Sequence, residues 1–355
     1  MTSKERVMTT LDYGRPDRVP VYMGLWPEFR AVWNEANPDA TESCDDHFLE
    51  DIYIAVGDET PYMSRAESLG EEGEYSLQRD GWGQVKRIRG GGYFFQQLSF
   101  AYDEGLRMVY GEFDSPLLEQ RYAGLDARMD DLKERYCVFA KTGGPYIRTC
   151  FMRGEEHFLL DMASDPPLAA ELAMRTAVHL AAVGVEELRR WELQDTGIWI
   201  FDDMASTKGP MFSPATAERV LAPAWKHMID AYRAAGARKV ILHSDGNIGP
   251  LLDLFVDLGF EGINPVEYNG GLDAPKLREK YGRRLALLGG LDNMVILPRG
   301  DREEIREHVL SVLSAGRDGG LVLGTHSIAP DISVETMEYV LELTLEYGTY
   351  PMEWA

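Results

Sequence analysis

Residues 240–267, VILHSDGNIGPLLDLFVDLGFEGINPVE, decide the fold. A short apolar run at 240–243 stops in polar residues, a helical pattern follows, and a second apolar run at 262–265 stops the same way. Strands that are apolar on both faces, separated by helices, mean a parallel sheet covered by helices. The unit recurs on either side. Upstream lie 137–141 (CVFAK) and 198–201 (IWIF); downstream lie 285–288 (LALL) and 321–323 (LVL). Residues 19–23 add a strand near the start. Seven strands with one unread predict a single (β/α)8 TIM barrel, with an open doubly wound sheet as the alternative. No GxGxxG follows any strand, so a dinucleotide site has no support.

The helices carry their own punctuation. Ser213 and Pro214 open ATAERVLAPAWKHMIDAYRAAG as N-cap and first helical residue, and Gly236 stops it. Residues 301–315 carry acids in the first turn and an apolar stripe, and Ser333 opens another helix that stops at Gly348. Residues 4–13 read as a short helix. At 75–110, YSLQRDGWGQVKRIRGGGYFFQQLSF shows strand-formers with Asp80-Gly81 and Gly90-Gly91-Gly92 as turns. That predicts β-hairpins inserted in or capping one 1–355 barrel domain, since no linker isolates them. The glycine run beside Tyr93 and Phe94 has the composition of a docking rim, or equally of a cap that packs on the barrel.

Charge and cysteine content narrow the function classes. Lys and Arg total 36 against 59 Asp and Glu, a net charge of −23. That field repels nucleic acid, and the densest basic stretch, 86–89 (KRIR), is short. No apolar run matches a membrane span, and MTSKERVMTTLDYGRPDR has no apolar core of a signal peptide. Cys44, Cys137 and Cys150 form no paired motif, which fits a cytoplasmic chain with buried, inert thiols.

A barrel of this kind carries its chemistry where the strands end. Those ends hold Asp202-Asp203, then His243-Ser244-Asp245-Gly246-Asn247, then Asn264-Pro265-Val266-Glu267, then Gly289-Gly290-Leu291-Asp292-Asn293, then Thr325-His326-Ser327. Asp202 and Asp203 also suit loop capping, and Asp245-Gly246-Asn247 also suits a turn. His47, His157, His179, His227 and His308 read as surface or packing residues. Two chemistries fit the rim. In one, His243, Glu267 and His326 bind a metal such as Zn²⁺, with Asp245 as a fourth ligand or an orienter. In the other, a metal-free acid/base site uses Asp203 or Glu267, with His243 as proton shuttle. Tyr146 and Arg148 in GGPYIRTC, Asn293 and Trp26 are candidate substrate contacts; Trp26 and Trp82 serve equally as core.

KERVMTTLDYGRPDRVPV, FMRGEEHFLLDMASDP, ILHSDGNIGPLLDLFVDLGFEGINPVE and GTHSIAPDISVE together resemble the uroporphyrinogen decarboxylase superfamily. The resemblance spans residues 3–350, is strongest from 145 onward, and implies a barrel with its site in the mouth. True uroporphyrinogen decarboxylases carry an arginine motif of the form RQAGRY for the substrate's carboxylates. Here that segment reads VPVYMGLWPEFR, and Arg30 is the only arginine between Arg18 and Arg65. The chain is more similar to the corrinoid-linked methyltransferase branch. There a His-x-Cys pair and a later Cys bind zinc. His243 matches the histidine, Asp245 stands at the first cysteine, the His326 loop at the second, and Glu267 matches an acidic residue near the metal. The resemblance therefore implies a methyltransferase moving a methyl group from a small methylated substrate, of methoxylated or methylamine type, to a corrinoid protein. Asp203 would contact substrate or handle a proton. The harder oxygen-rich donor set argues against a thiol substrate. The alternatives are a metal-free decarboxylase of a small acid and a non-catalytic binding barrel.

Overall fold

Each of the seven apolar runs forms a strand, and the eighth strand lies where the pattern was too short to read. The computed structural model describes residues 1–89, 94–102 and 108–354. The barrel strands are β1 (Val21–Tyr22), β2 (Ile52–Ala55), β3 (Cys137–Gly143) and β4 (Gly197–Phe201), followed by β5 (Lys239–His243), β6 (Gly262–Val266), β7 (Ala286–Gly290) and β8 (Leu321–Gly324). From β2 to β8 each strand pairs in parallel with the next in sequence, and β8 pairs in parallel with β1. The seam between β1 and β2 is held by a bridge from Val21 to Glu50 and by the Asp51 N–H on the Val21 carbonyl at 2.9 Å. A (β/α)8 TIM barrel results.

Two cores follow from the two faces of each strand. Phe139, Trp199, Ile241, Leu288 and Val322 fill the lumen. Alternate residues such as Val138, Ile198, Leu242 and Leu287 face the surrounding helices. Helix α1 (Ser3–Leu11) starts at a Thr2 capping box and plugs the lumen's lower end with Val7, Met8 and Leu11. The expected caps are in place. Ser213, Asp301 and Ser333 accept from Thr216, Glu304 and Thr336 N–H groups at 3.1, 3.0 and 3.0 Å.

Helix α2 (Pro145–Arg153) follows β3, and α3 (Pro166–Arg190) leads to β4. By length and composition α3 is apolar enough to cross a membrane, although polar residues interrupt its apolar runs. Here it is a barrel helix, with Leu172, Leu180, Val183 and Leu188 buried.

The predicted hairpins at 75–110 are a larger antiparallel sheet of four strands, Glu67–Glu72, Tyr75–Arg79, Val85–Arg89 and Phe94–Ser99. Its first strand, ESLGEE, was not anticipated because every residue is exposed and half are acidic, so neither period nor propensity marks it. The Asp80 turn forms as expected, its carboxylate accepting from the Trp82 and Gln84 N–H groups at 2.9 and 3.0 Å. The glycine run and Tyr93 lie outside the described residues, as does the Phe94 side chain. Phe95 and Leu98 are exposed.

Candidate functional site

The top of the lumen is built from side chains at the C-terminal ends of β4, β5, β6 and β8. Phe201 and His243 are paired in register on β4 and β5, and their rings stack at 4.0 Å with 12° between planes. Asn264, the neighbour of His243 across β6, lies 2.7 Å from His243 Nδ1 through its Oδ1. An amide oxygen only accepts, so Nδ1 carries the proton and donates. That leaves His243 Nε2 as a bare lone pair. It faces Asp245 Oδ1 at 3.6 Å and Asp203 Oδ1 at 3.8 Å. Burial holds the imidazole below its ordinary pKa, against the pull of Asp245 and Asp203.

The loop after β5 turns sharply because Gly246 sits at φ +83°, where a Cβ would meet the Ala205 carbonyl oxygen at 2.5 Å. Its N–H donates to Glu267 Oε2 at 2.7 Å, fixing that carboxylate beside Asp245. On β8's loop, His326 Nε2 lies 4.0 Å from Asp245 Oδ2 and 3.1 Å from the Ser327 hydroxyl. Asn293 reaches the same loop, donating to the Ser327 carbonyl at 2.9 Å. Two ligand groups result, Asp203 with His243 and Asp245, and Asp245 with Glu267 and His326, each with donor atoms within 4.8 Å of one another. Asp245 belongs to both.

Two buried atoms here have no hydrogen-bond partner among the described residues, Asp245 Oδ1 and His326 Nδ1. Leaving such atoms unpaired costs free energy, and a bound ion or water beside Asp245 would relieve it. Nitrogen and carboxylate donors of this mix suit zinc or a similar divalent ion.

The other expected residues are placed differently. Asp202 is buried and acts as a cap, accepting from Ile147 N–H at 2.8 Å, Tyr146 N–H at 3.3 Å and Trp225 Nε1 at 2.7 Å. Burial lifts its carboxyl to about 7. The Tyr146 ring is buried and packs against Phe158 and Phe212. Trp26 stands half exposed on the loop after β1, and Trp82 is buried against Phe151. Arg148 belongs to a second polar cluster with Glu59 and Lys141, which the strand-end reading missed. Lys141 closes an apolar run and looks like an ordinary strand terminus; Glu59 lies in a stretch with no period. Three histidines read as packing have structural partners. His179 Nε2 lies 3.0 Å from the Glu59 carbonyl oxygen, Asp292 N–H donates to His308 Nε2 at 3.0 Å, and His47 pairs with Glu42 and Glu338. Cys44, Cys137 and Cys150 are buried and free.

The profile of the uroporphyrinogen decarboxylase (URO-D) family matches residues 114–347. A uroporphyrinogen decarboxylase from Syntrophotalea carbinolica is 24% identical over 245 residues, 67% of each chain. The solved structure of a methyltransferase from Methanosarcina mazei has the same fold, with a TM-score of 0.67 at 18% identity, covering 98% of this chain and 99% of that one.

Proposed function

Since the chain belongs to the uroporphyrinogen decarboxylase family, we propose that it is a metal-dependent methyltransferase, taking a methyl group from a small methylated substrate and passing it to a corrinoid protein. The observation that carries this reading is the shared carboxylate of Asp245, set between His243 and the Glu267–His326 pair with one buried oxygen unpartnered. His243, Glu267 and His326 would hold a zinc ion, with Asp245 as the further ligand. Bound there, zinc supplies Lewis acidity that polarises the heteroatom bearing the methyl group.

The chain's own residues prepare that site. Asn264 fixes the His243 tautomer so that Nε2 is the free donor. The Gly246 N–H orients Glu267. Phe201 covers one face of the His243 ring and keeps water from it. Asp203, half exposed and accepting from Asp245 N–H at 3.1 Å, would contact substrate or take a proton. Decarboxylation of a porphyrinogen is disfavoured because Arg30, alone in its segment, is engaged by Asp45 and the Leu25 carbonyl.

The test is metal analysis of purified protein, then methyl transfer from a panel of methylated compounds to cob(I)alamin. We expect about one divalent ion per chain, loss of that ion in His243→Ala, and transfer that a chelator abolishes. Full activity in chelator, or turnover of uroporphyrinogen in place of methyl transfer, would overturn the proposal.

A further inference from the structure

The polar lining of the mouth continues beyond His243 onto β3. Cys137 and Phe139 face the lumen while Val138 and Ala140 face the helices, so the two-residue period aims Lys141 into the lumen. Its side chain is 9% exposed. The ammonium lies 5.0 Å from the centre of the Phe201 ring, which stacks on His243. β4, carrying Phe201, is the strand between the strands of Lys141 and His243.

Lys141 is short of partners. Its one carboxylate contact among the described residues is Glu59 Oε1, at 3.4 Å. The same oxygen is held by the Arg148 guanidinium, and Glu59 Oε2 accepts from Gly143 N–H. Arg148 Nε has no hydrogen-bond partner among the described residues. Burial alone would raise the Glu59 carboxyl, but Lys141 and Arg148 hold it below its ordinary value, so it is ionised. The neighbouring acid, Glu187, is pushed well above its ordinary value by burial and stays uncharged. Asp202 spends its oxygens on Ile147, Tyr146 and Trp225. Two cations therefore share one carboxylate, leaving a surplus positive charge in the mouth of a chain whose net charge is −23. A buried charge without a counter-ion is costly, and packing does not require one here, since an uncharged side chain of similar length would fill the same space.

We propose that the mouth takes a methylated substrate bearing a carboxylate, docked on the Lys141 ammonium with Arg148 behind it. The inference rests on the methyl-transfer reading for the word methylated, and on Lys141 for the carboxylate. With its acid at Lys141, the substrate body passes the edge of the Phe201 ring, whose faces are turned to Lys141 and His243, and its far end reaches toward His243. An apolar or aromatic body suits that ring.

Calorimetric binding tests the charge apart from turnover. Methoxyacetate and 4-methoxybenzoate are compared with their neutral amides, with and without chelator, so that a carboxylate–metal contact is separated from the lysine. We expect at least one acid to bind roughly tenfold to a hundredfold tighter than its amide, the worth of a charge-assisted hydrogen bond. Chelator should leave the preference in place, Lys141→Met should abolish it, and Lys141→Arg should retain it. Should Lys141→Met not fold, Lys141→Gln predicts the same loss. Amides binding as well as acids, or a preference that survives Lys141→Met or Lys141→Gln, would overturn the proposal. Methyl transfer from neutral substrates that ignores Lys141 would sink this inference and spare the methyltransferase reading. A Lys141-dependent acid preference without methyl transfer would do the reverse.

Discussion

At the scale of single residues, the site depends on hydrogen bonds that aim its donors. Among the described residues the Asn264 side chain hydrogen-bonds His243 and the Leu288 carbonyl, and it sets which nitrogen of His243 is bare. Asn264→Ala should therefore weaken divalent-metal affinity by about tenfold to a hundredfold, the usual effect of losing a partner that orients a ligand. Competition with a chromogenic chelator measures this, and unchanged affinity in a folded variant would remove Asn264 from the mechanism. His243, Asp245, Glu267 and His326 were legible because polar residues at the tips of buried strands stand out against the apolar run. Lys141 was not: it reads as the unremarked end of its strand, and only the fold, which brings Glu59 to it, reveals its partner. Asn264 stands at a strand tip with Glu267, but its pairing with His243 follows only from the register of β5 and β6.

At the scale of elements, what sequence could reveal followed burial. Strands buried on both faces and helices with side-chain caps were readable, since both leave periodic or punctuated patterns. β2 was not, because IYIA spans four residues beside acidic Glu50 and Asp51. Helix α3 shows how such an element can couple packing to pH. His179, buried on α3, donates from Nε2 to the Glu59 carbonyl and lies edge-on to Phe113. Burial, aided by Arg121, depresses its pKa from 6.5 to about 4. The folded imidazole stays neutral where the unfolded one takes a proton, so stability present above pH 6.5 is lost as pH falls toward 4. The shift is worth about 3 kcal/mol. Denaturant unfolding of the wild type and His179→Gln between pH 7.5 and 4 checks this. The wild type should lose about that much more stability than the variant over the range, and parallel slopes would show that His179 is not the cause.

At the scale of the whole molecule, a barrel must close, and the weakest seam is between β1 and β2. No ladder joins them; one bridge and one backbone hydrogen bond do. Buried Asp51 reinforces that seam from the end opposite the proposed metal site. It accepts from Arg6 at 2.7 Å, from Arg18 at 2.7 Å and from Val21 N–H at 2.9 Å, while its own carbonyl receives Cys137 N–H at 2.8 Å. One side chain thus ties the plug helix, the approach to β1, and β2 together, with β3 joined through its backbone. Arg6 retains Asp17 as a second partner, but among the described residues Arg18 bonds no other carboxylate. Asp51→Ala should cost about 3–5 kcal/mol, because it leaves cations without the buried carboxylate they surround. Asp51→Asn should cost less, since an amide oxygen still accepts. Molecules of either variant that remain folded should bind metal as the wild type does, because the ligands stand at the far end of the strands. Equilibrium unfolding with metal binding measured on the same samples separates the two effects. Asp51→Ala within about 1 kcal/mol of wild type, below the range for breaking a buried pair, would mean that the seam is held by the helices outside it.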